Sequence, residues 1–292
     1  MKAAHLSDLH FGSHVSSEKL DSLRKDLLSQ ALELLVITGD VTDRGRLSQF
    51  RWARAFFRSL EIPFIIVPGN REVGFSAVWE WMLPHFAMRR YSHFFGASDR
   101  VVYCSESNKV VFIGLNSVHS FPSWPGKVSR ETRYWLKEQA SRFEDYLKVL
   151  FLHHPVVPVI RGSSFWAHSL SDAGEILNIC TQNGIKLILQ GHKHRSAVME
   201  VNFPEREARV VVSSCGAPLM SRWDSVYHIM EVSPASIVIH PREFFEGEFV
   251  EKGCYEFFPN GDRNDCRVGT CQGRSSDVFR SKASSKTPEN MH

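Results

Sequence analysis

Five short segments of this 292-residue chain carry oxygen or imidazole donors beside a glycine or proline: Asp8-Leu9-His10, Gly39-Asp40, Gly69-Asn70, His153-His154-Pro155 and Gly191-His192-Lys193-His194. Two carboxylates, an amide oxygen and four imidazoles form a mixed oxygen/nitrogen donor set. Such a set suits borderline divalent ions such as Mn²⁺, Fe²⁺, Zn²⁺ or Co²⁺. Seven donors are too many for one ion, whereas two ions about 3.5–4 Å apart, sharing one carboxylate, use them all. No thiolate lies near, which disfavours a structural zinc site.

Each segment follows a short apolar run, so each donor group is expected at a strand end. Residues 3–6, 34–38, 62–67, 147–152 and 185–189 read as these strands. Helical periodicity separates them over 18–32, where Leu20, Leu23, Leu27 and Leu28 share a face, and over 48–60, from Ser129 to about Tyr146, and over 171–182. Strands alternating with helices mark an α/β layered domain. In a sheet of mainly parallel strands the carboxyl ends line one edge, where such domains place their sites. Residues 101–103 and 110–115 form a further strand pair, and after Gly191 only strands are expected, over 197–201, 209–213, 227–232 and 236–240.

Apolar residues make up 43% and charged residues 23%, ordinary globular usage that excludes wholesale disorder and fibrous repeats. Lys and Arg exceed Asp and Glu by 35 to 32, and residues 263–292 hold six basic against three acidic groups, the whole excess. The near-neutral body argues against a nucleic-acid face, and residues 263–292 are expected as a disordered basic tail beyond a 1–262 domain. No uncharged apolar run is long enough to span a bilayer, and polar residues come too early for a signal peptide, so the expected location is cytoplasmic. Of six cysteines, Cys104, Cys180 and Cys215 read as core thiols, while Cys254, Cys266 and Cys271 cluster late. Residues 75–95 hold seven aromatics, among them Trp79 and Phe86. This stretch, within a cap-like insertion over 75–100, is either a helical insertion packed on the body or an apolar cap that takes acyl chains or touches the inner face of a membrane.

The combination resembles the calcineurin-like metallophosphoesterases, whose pattern is D-x-H, G-D, G-N-[HR]-[DE], a later His before Pro, and G-H-x-H. The resemblance covers roughly residues 1–240 and implies a four-layer α/β/β/α sandwich of two facing sheets flanked by helices. It implies one ion on Asp8, His10, Asp40 and His194, and a second on Asp40, Asn70, His153 and His192. His153 is chosen because it sits two before the proline, with His154 as the alternative. Ions so held lower the pKa of water and neutralise phosphoryl oxygens, so hydrolysis needs nothing covalent from the protein.

One position departs from the commonest pattern. Arg71 stands where most members have a histidine able to protonate the leaving alcohol, and a guanidinium stays charged at any working pH. It can clamp phosphate or stabilise an already acidic leaving group, which leans toward a pyrophosphate bond. Gly69-Asn70-Arg71-Glu72 and Gly191-His192-Lys193-His194-Arg195 are similar to the UDP-2,3-diacylglucosamine pyrophosphatases of lipid A synthesis. That resemblance implies a nucleotide-lipid substrate with Mn²⁺, and gives Trp79 and Phe86 to the acyl chains. His153-His154-Pro155 and Asn116-Ser117 look more like the cyclic-nucleotide-type phosphodiesterases. The alternatives are therefore a cyclic-nucleotide or glycerophosphodiester phosphodiesterase, and a catalytically silent binding module. Arg44, in Asp43-Arg44-Gly45, and Arg195 are further candidates for phosphate contact, and Glu72 is expected to support a ligand.

Overall fold

The computed structural model describes residues 1–12, 14–73, 84–96, 99–118, 125–159, 169–259 and 267–269, with only the backbone course given for 84–87 and 267–269. Two sheets carry the fold. The first joins β1 (Lys2–Leu6), β2 (Leu34–Ile37) and β3 (Phe64–Ile66) in parallel, then continues from β1 through β10 (Val226–Val232), β11 (Ile237–Phe245), β13 (Cys254–Phe257) and β14 (Arg267–Gly269). A hairpin strand, β12 (Glu248–Glu251), also pairs with β11. The second sheet runs in the order β4 (Arg100–Ser105), β5 (Val110–Leu115), β6 (Leu147–Phe151), β7 (Ile185–Gln190), β9 (Ala208–Ser214) and β8 (Ala197–Phe203), with β5, β6, β7 and β9 parallel.

Period-2 alternation on buried strands forces each sheet to cover two faces, and three apolar clusters do so. Between the sheets, Val36, Val67, Phe112, Val149, Leu189 and Ile239 interdigitate. The outer face of the first sheet packs on α1 (Ser17–Ser29), α2 (Leu47–Ser59) and α3 (Pro84–Phe95) through Leu23, Leu27, Phe50, Phe57 and Tyr91. The outer face of the second packs on α4 (Arg130–Arg142) and α5 (Ala173–Gln182) through Leu136, Ala140, Ile176 and Ile179. The layers are thus α/β/β/α, as the resemblance implies.

Several expectations shift. The donor-bearing strands divide between the two sheets, β1, β2 and β3 in the first and β6 and β7 in the second, so the site lies where their carboxyl edges meet. The first helix stops at Ser29 because Ala31 turns left-handed, with φ 50°, and the Ser129-capped helix stops at Arg142 where Phe143 leaves helical geometry. β11 continues to Phe245 and turns at Glu246-Gly247, both at positive φ, into β12. The turn is Glu-Gly rather than the Asn-Gly or Asp-Gly that marks a hairpin most plainly, and the sequence reading ended the strand at residue 240. In the aromatic stretch, the described residues pack on the body: Tyr91 is fully buried and donates to Ile66 O at 3.1 Å, and Phe94 stacks on Phe50. Trp79 lies outside the described residues, as do Cys266, Cys271 and the tail beyond Gly269; Phe86 sits in α3, its side chain outside them. No helix among the described residues is long and apolar enough to cross a membrane.

A buried polar cluster ties α1 to the first sheet. Asp26 accepts from the Tyr227 hydroxyl and, through both oxygens, from Arg242, which also reaches Phe249 O at 2.8 Å. Burial first, then the Asp26 charge, pushes the Tyr227 hydroxyl far up, which keeps it a donor. Asp26→Ala strands a guanidinium and a phenol together. Chemical denaturation is expected to show a loss of about 3 kcal/mol, and a change below the error of the measurement would mean that water replaces the carboxylate.

Candidate metal centre

The donor residues sit on the turns directly after β1, β2, β3, β6 and β7. Asp8, His10, Asp40, His192 and His194 all adopt positive φ, between 48° and 71°. Non-glycine residues in this region cost of order 1 kcal/mol or more each and cluster where function over-determines the backbone. Glycines make the close approach possible: a methyl on Gly69 would overlap the Asp40 carboxylate, and one on Gly191 would overlap Ser7.

Two clusters result, each with its donor atoms within 4.8 Å of one another: Asp8, His10, Asp40 and His194, and Asp40, His153 and His192. Asp40 belongs to both. In the first, His10 Nε2 faces His194 Nε2 at 3.0 Å, while Asp8 Oδ1 lies 3.1 Å from His194 Nε2. Asp40 Oδ2 lies 3.9 Å from His10 Nε2. In the second, Asn70 Oδ1 lies 3.0 Å from His153 Nε2 and 2.9 Å from His192 Nδ1, and Asp40 Oδ1 lies 3.6 Å from His153 Nε2.

These atoms fit cations. His153 Nδ1 donates to Thr38 O at 2.7 Å, so in the neutral form of the ring the lone pair falls on Nε2, 3.0 Å from the Asn70 oxygen. Two acceptors 3 Å apart repel unless a positive charge lies against both. Asp8 Oδ1 is buried without an aligned hydrogen bond, a second atom that a cation would satisfy. Burial opposes charge on Asp8 and His10 alike, yet their neighbours win. His194 and His10 hold the Asp8 carboxyl well below its usual range, and Asp8 and Asp40 raise His10. Burial, followed by His154 and His153, pushes His192 well down, leaving it a neutral ligand.

The framework beneath is also polar. Glu72 is buried and accepts four hydrogen bonds of 2.7–2.9 Å, from Asp40 N, Gly69 N, Thr42 N and Thr42 Oγ1, so one carboxylate joins the turns after β2 and β3. Burial and the neighbouring Asp40 push the Glu72 carboxyl up to about 8 against those donors. Deeper, His5 bonds Ser213 and Thr38, and Ser213 bonds His228, which also meets Ser196. Burial holds His5 well below its ordinary value, and His228 down to about 3. Both rings are therefore neutral in the folded protein. As pH falls below about 6.5 the unfolded chain takes up protons that the folded one refuses, and each ring removes about 1.4 kcal/mol of stability per pH unit. Denaturation at pH 7.5, 6 and 5 is expected to show this decline with a shallower slope in His228→Gln; equal slopes would remove His228 as a cause.

The other expected residues are placed as follows. His154 has its Nδ1 3.0 Å from Ser117 Oγ and its ring against that of His192, and of the pair it is His153 that lies in the donor cluster. The Arg71 backbone donates to Asp40 Oδ1 at 2.8 Å, and its guanidinium lies near enough to His10 to oppose that ring's protonation. Arg44 pairs with Asp43 at 3.3 Å on the exposed side of the turn. Arg195 holds Asp224 at 2.8 Å and lies over the Trp223 ring. Trp223, beside His194, escaped the sequence reading because no motif marks it.

Residues 1–196 match the calcineurin-like phosphoesterase family, and the protein belongs to it. The fold and the two donor clusters that share Asp40 are those expected of this family. The chain is 28% identical over 127 residues to a probable glycerophosphodiester phosphodiesterase of Arcobacter nitrofigilis, a match spanning 44% of this chain and less than half, 43%, of that relative. It is 22% identical over 214 residues to a probable cyclic nucleotide phosphodiesterase of Fibrobacter succinogenes, covering 69% of this chain and 75% of the relative. A dimetal phosphatase structure from Danio rerio superposes with a TM-score of 0.63 at 14% identity, over 86% of this chain and 98% of that one, a likeness of fold. Both curated relatives are named as phosphodiesterases, and neither is named for lipid A synthesis.

Proposed function

We propose that the protein hydrolyses phosphodiesters with two divalent ions, one held by Asp8, His10, Asp40 and His194 and the other by Asp40, Asn70, His153 and His192. The sharing of Asp40 between the two clusters carries this reading. Ions so held supply charge neutralisation at the phosphoryl group and acidify water. The protein's own contribution is positioning: Glu72 fixes the Asp40 and Gly69 backbones, and Thr38 fixes the His153 tautomer. Arg71 clamps a phosphoryl oxygen or steadies a departing anion, and cannot deliver a proton.

The names of the relatives support the diester; Arg71 is the feature that favours an anhydride such as UDP-2,3-diacylglucosamine. The deciding experiment supplies Mn²⁺ to purified protein, with and without chelator. It follows 3′,5′-cyclic AMP, glycerophosphocholine and UMP release from the nucleotide-lipid. Chelator-sensitive cleavage of a diester is expected. UMP release with both diesters untouched would sink the proposal and restore the anhydride reading.

A further inference from the structure

The loop between β9 and β10 presents an aromatic ring beside the candidate metal centre. Trp223 packs edge-to-face on His194, ring centroids 5.1 Å apart, yet 41% of it is exposed. Leaving that much of an indole in water forgoes burial, and a neighbour in sequence holds the ring in place. Asp224 takes Arg195 Nη1 at 2.8 Å and Ser196 N at 3.0 Å, and its own N–H donates to His194 O at 3.3 Å. On the other flank Lys19 Nζ donates to Ser225 Oγ at 2.6 Å, and Ser225 Oγ donates to Met220 O at 2.8 Å. The Trp223 loop and the turn carrying His192 and His194 therefore form one unit.

A ring 5.1 Å from that of His194 is within reach of an ester arm on that side of a phosphoryl group held at the centre. The Arg195 guanidinium lies 5.6 Å from the ring centre and so weighs against a cationic arm such as choline. A flat, neutral group gains most from a pre-positioned indole, because stacking needs only a π-face and the ring is already ordered. We infer that Trp223 is a stacking platform for the nucleobase of a nucleoside phosphodiester and sets the preference for nucleotide over glycerol esters. This rests on the phosphodiesterase reading of the same site and adds the substrate class.

Trp223→Ala and Trp223→Phe, loaded with Mn²⁺ like the wild type, test it. For 3′,5′-cyclic AMP, Trp223→Ala is expected to lose about ten-fold in kcat/KM, chiefly through KM. Glycerophosphocholine should be little affected, and Trp223→Phe should recover most of the loss. Equal losses on both substrates, or a loss on the choline ester alone, would overturn the inference. Calorimetric binding of AMP and of inorganic phosphate separates it from the activity reading. The platform predicts about ten-fold weaker AMP binding in Trp223→Ala with phosphate binding unchanged, even if the wild type cleaves neither diester. Unchanged AMP binding would end the inference.

Discussion

Asp40→Ala is expected to lower metal-dependent turnover by on the order of 10³-fold and to leave the protein with at most one bound ion. The carboxylate reaches both clusters: Oδ2 lies 3.9 Å from His10 Nε2 and Oδ1 3.6 Å from His153 Nε2. No other described residue belongs to both. Without it the two half-sites lose their common anion, and two cations brought close together would repel with nothing between them. Asp40→Asn isolates the charge, since its amide oxygen still accepts from Arg71 N. The metal-free Asp40→Asn protein is expected to be at least as stable as wild type, because Asp40 and the buried Glu72 no longer oppose each other. Metal analysis of the purified variants, beside kcat, decides the matter. Two ions retained with undiminished turnover would remove Asp40 from the bridging position.

Arg71 carries the second large effect. Arg71→Ala is expected to cost about 10²-fold in kcat/KM, the usual consequence of removing a group that stabilises charge on the reacting phosphoryl or its leaving oxygen. Arg71→His tests which of the two it serves. An imidazolium can hand a proton to an alkoxide, whereas a guanidinium only attracts an anion. Wild-type rates across diesters of rising leaving-group pKa should therefore fall steeply, and those of Arg71→His should fall less, with the gain largest near pH 6. Parallel slopes would confine Arg71 to clamping a phosphoryl oxygen that stays behind.

Much of this was open to inspection in one dimension. The donor types and their place after apolar runs are local properties: a strand buried on both faces must be apolar, and the turn that ends it is the first place a charged or imidazole side chain can stand. Asp8, His10, Asp40, Asn70, His192 and His194 were found in that way, and they converge. Glu72 was legible only as a helper; its four hydrogen bonds depend on β2 and β3 lying side by side, which no spacing reveals. The strands after residue 240 were missed because a hairpin is specified by a two-residue turn rather than by a sustained period.

The sequence by itself determined which chemistry the chain can do, because ligand atoms belong to residue types and the turns that expose them follow directly from the strands. Only the tertiary structure decided where that chemistry is assembled and what surrounds it. It divided the donor-bearing strands between the two facing sheets, three in one and two in the other. It turned His153 rather than His154 inward, because Ser117 holds the His154 ring and Gly126 lies against it. It took Arg195 for Asp224, and it set Trp223, twenty-nine residues further along than its neighbour His194, against that ring. Those outcomes depend on which distant segments share a wall, and a contact across the fold is fixed by the pairing of sheets and the packing of helices together, leaving no periodic trace at either residue.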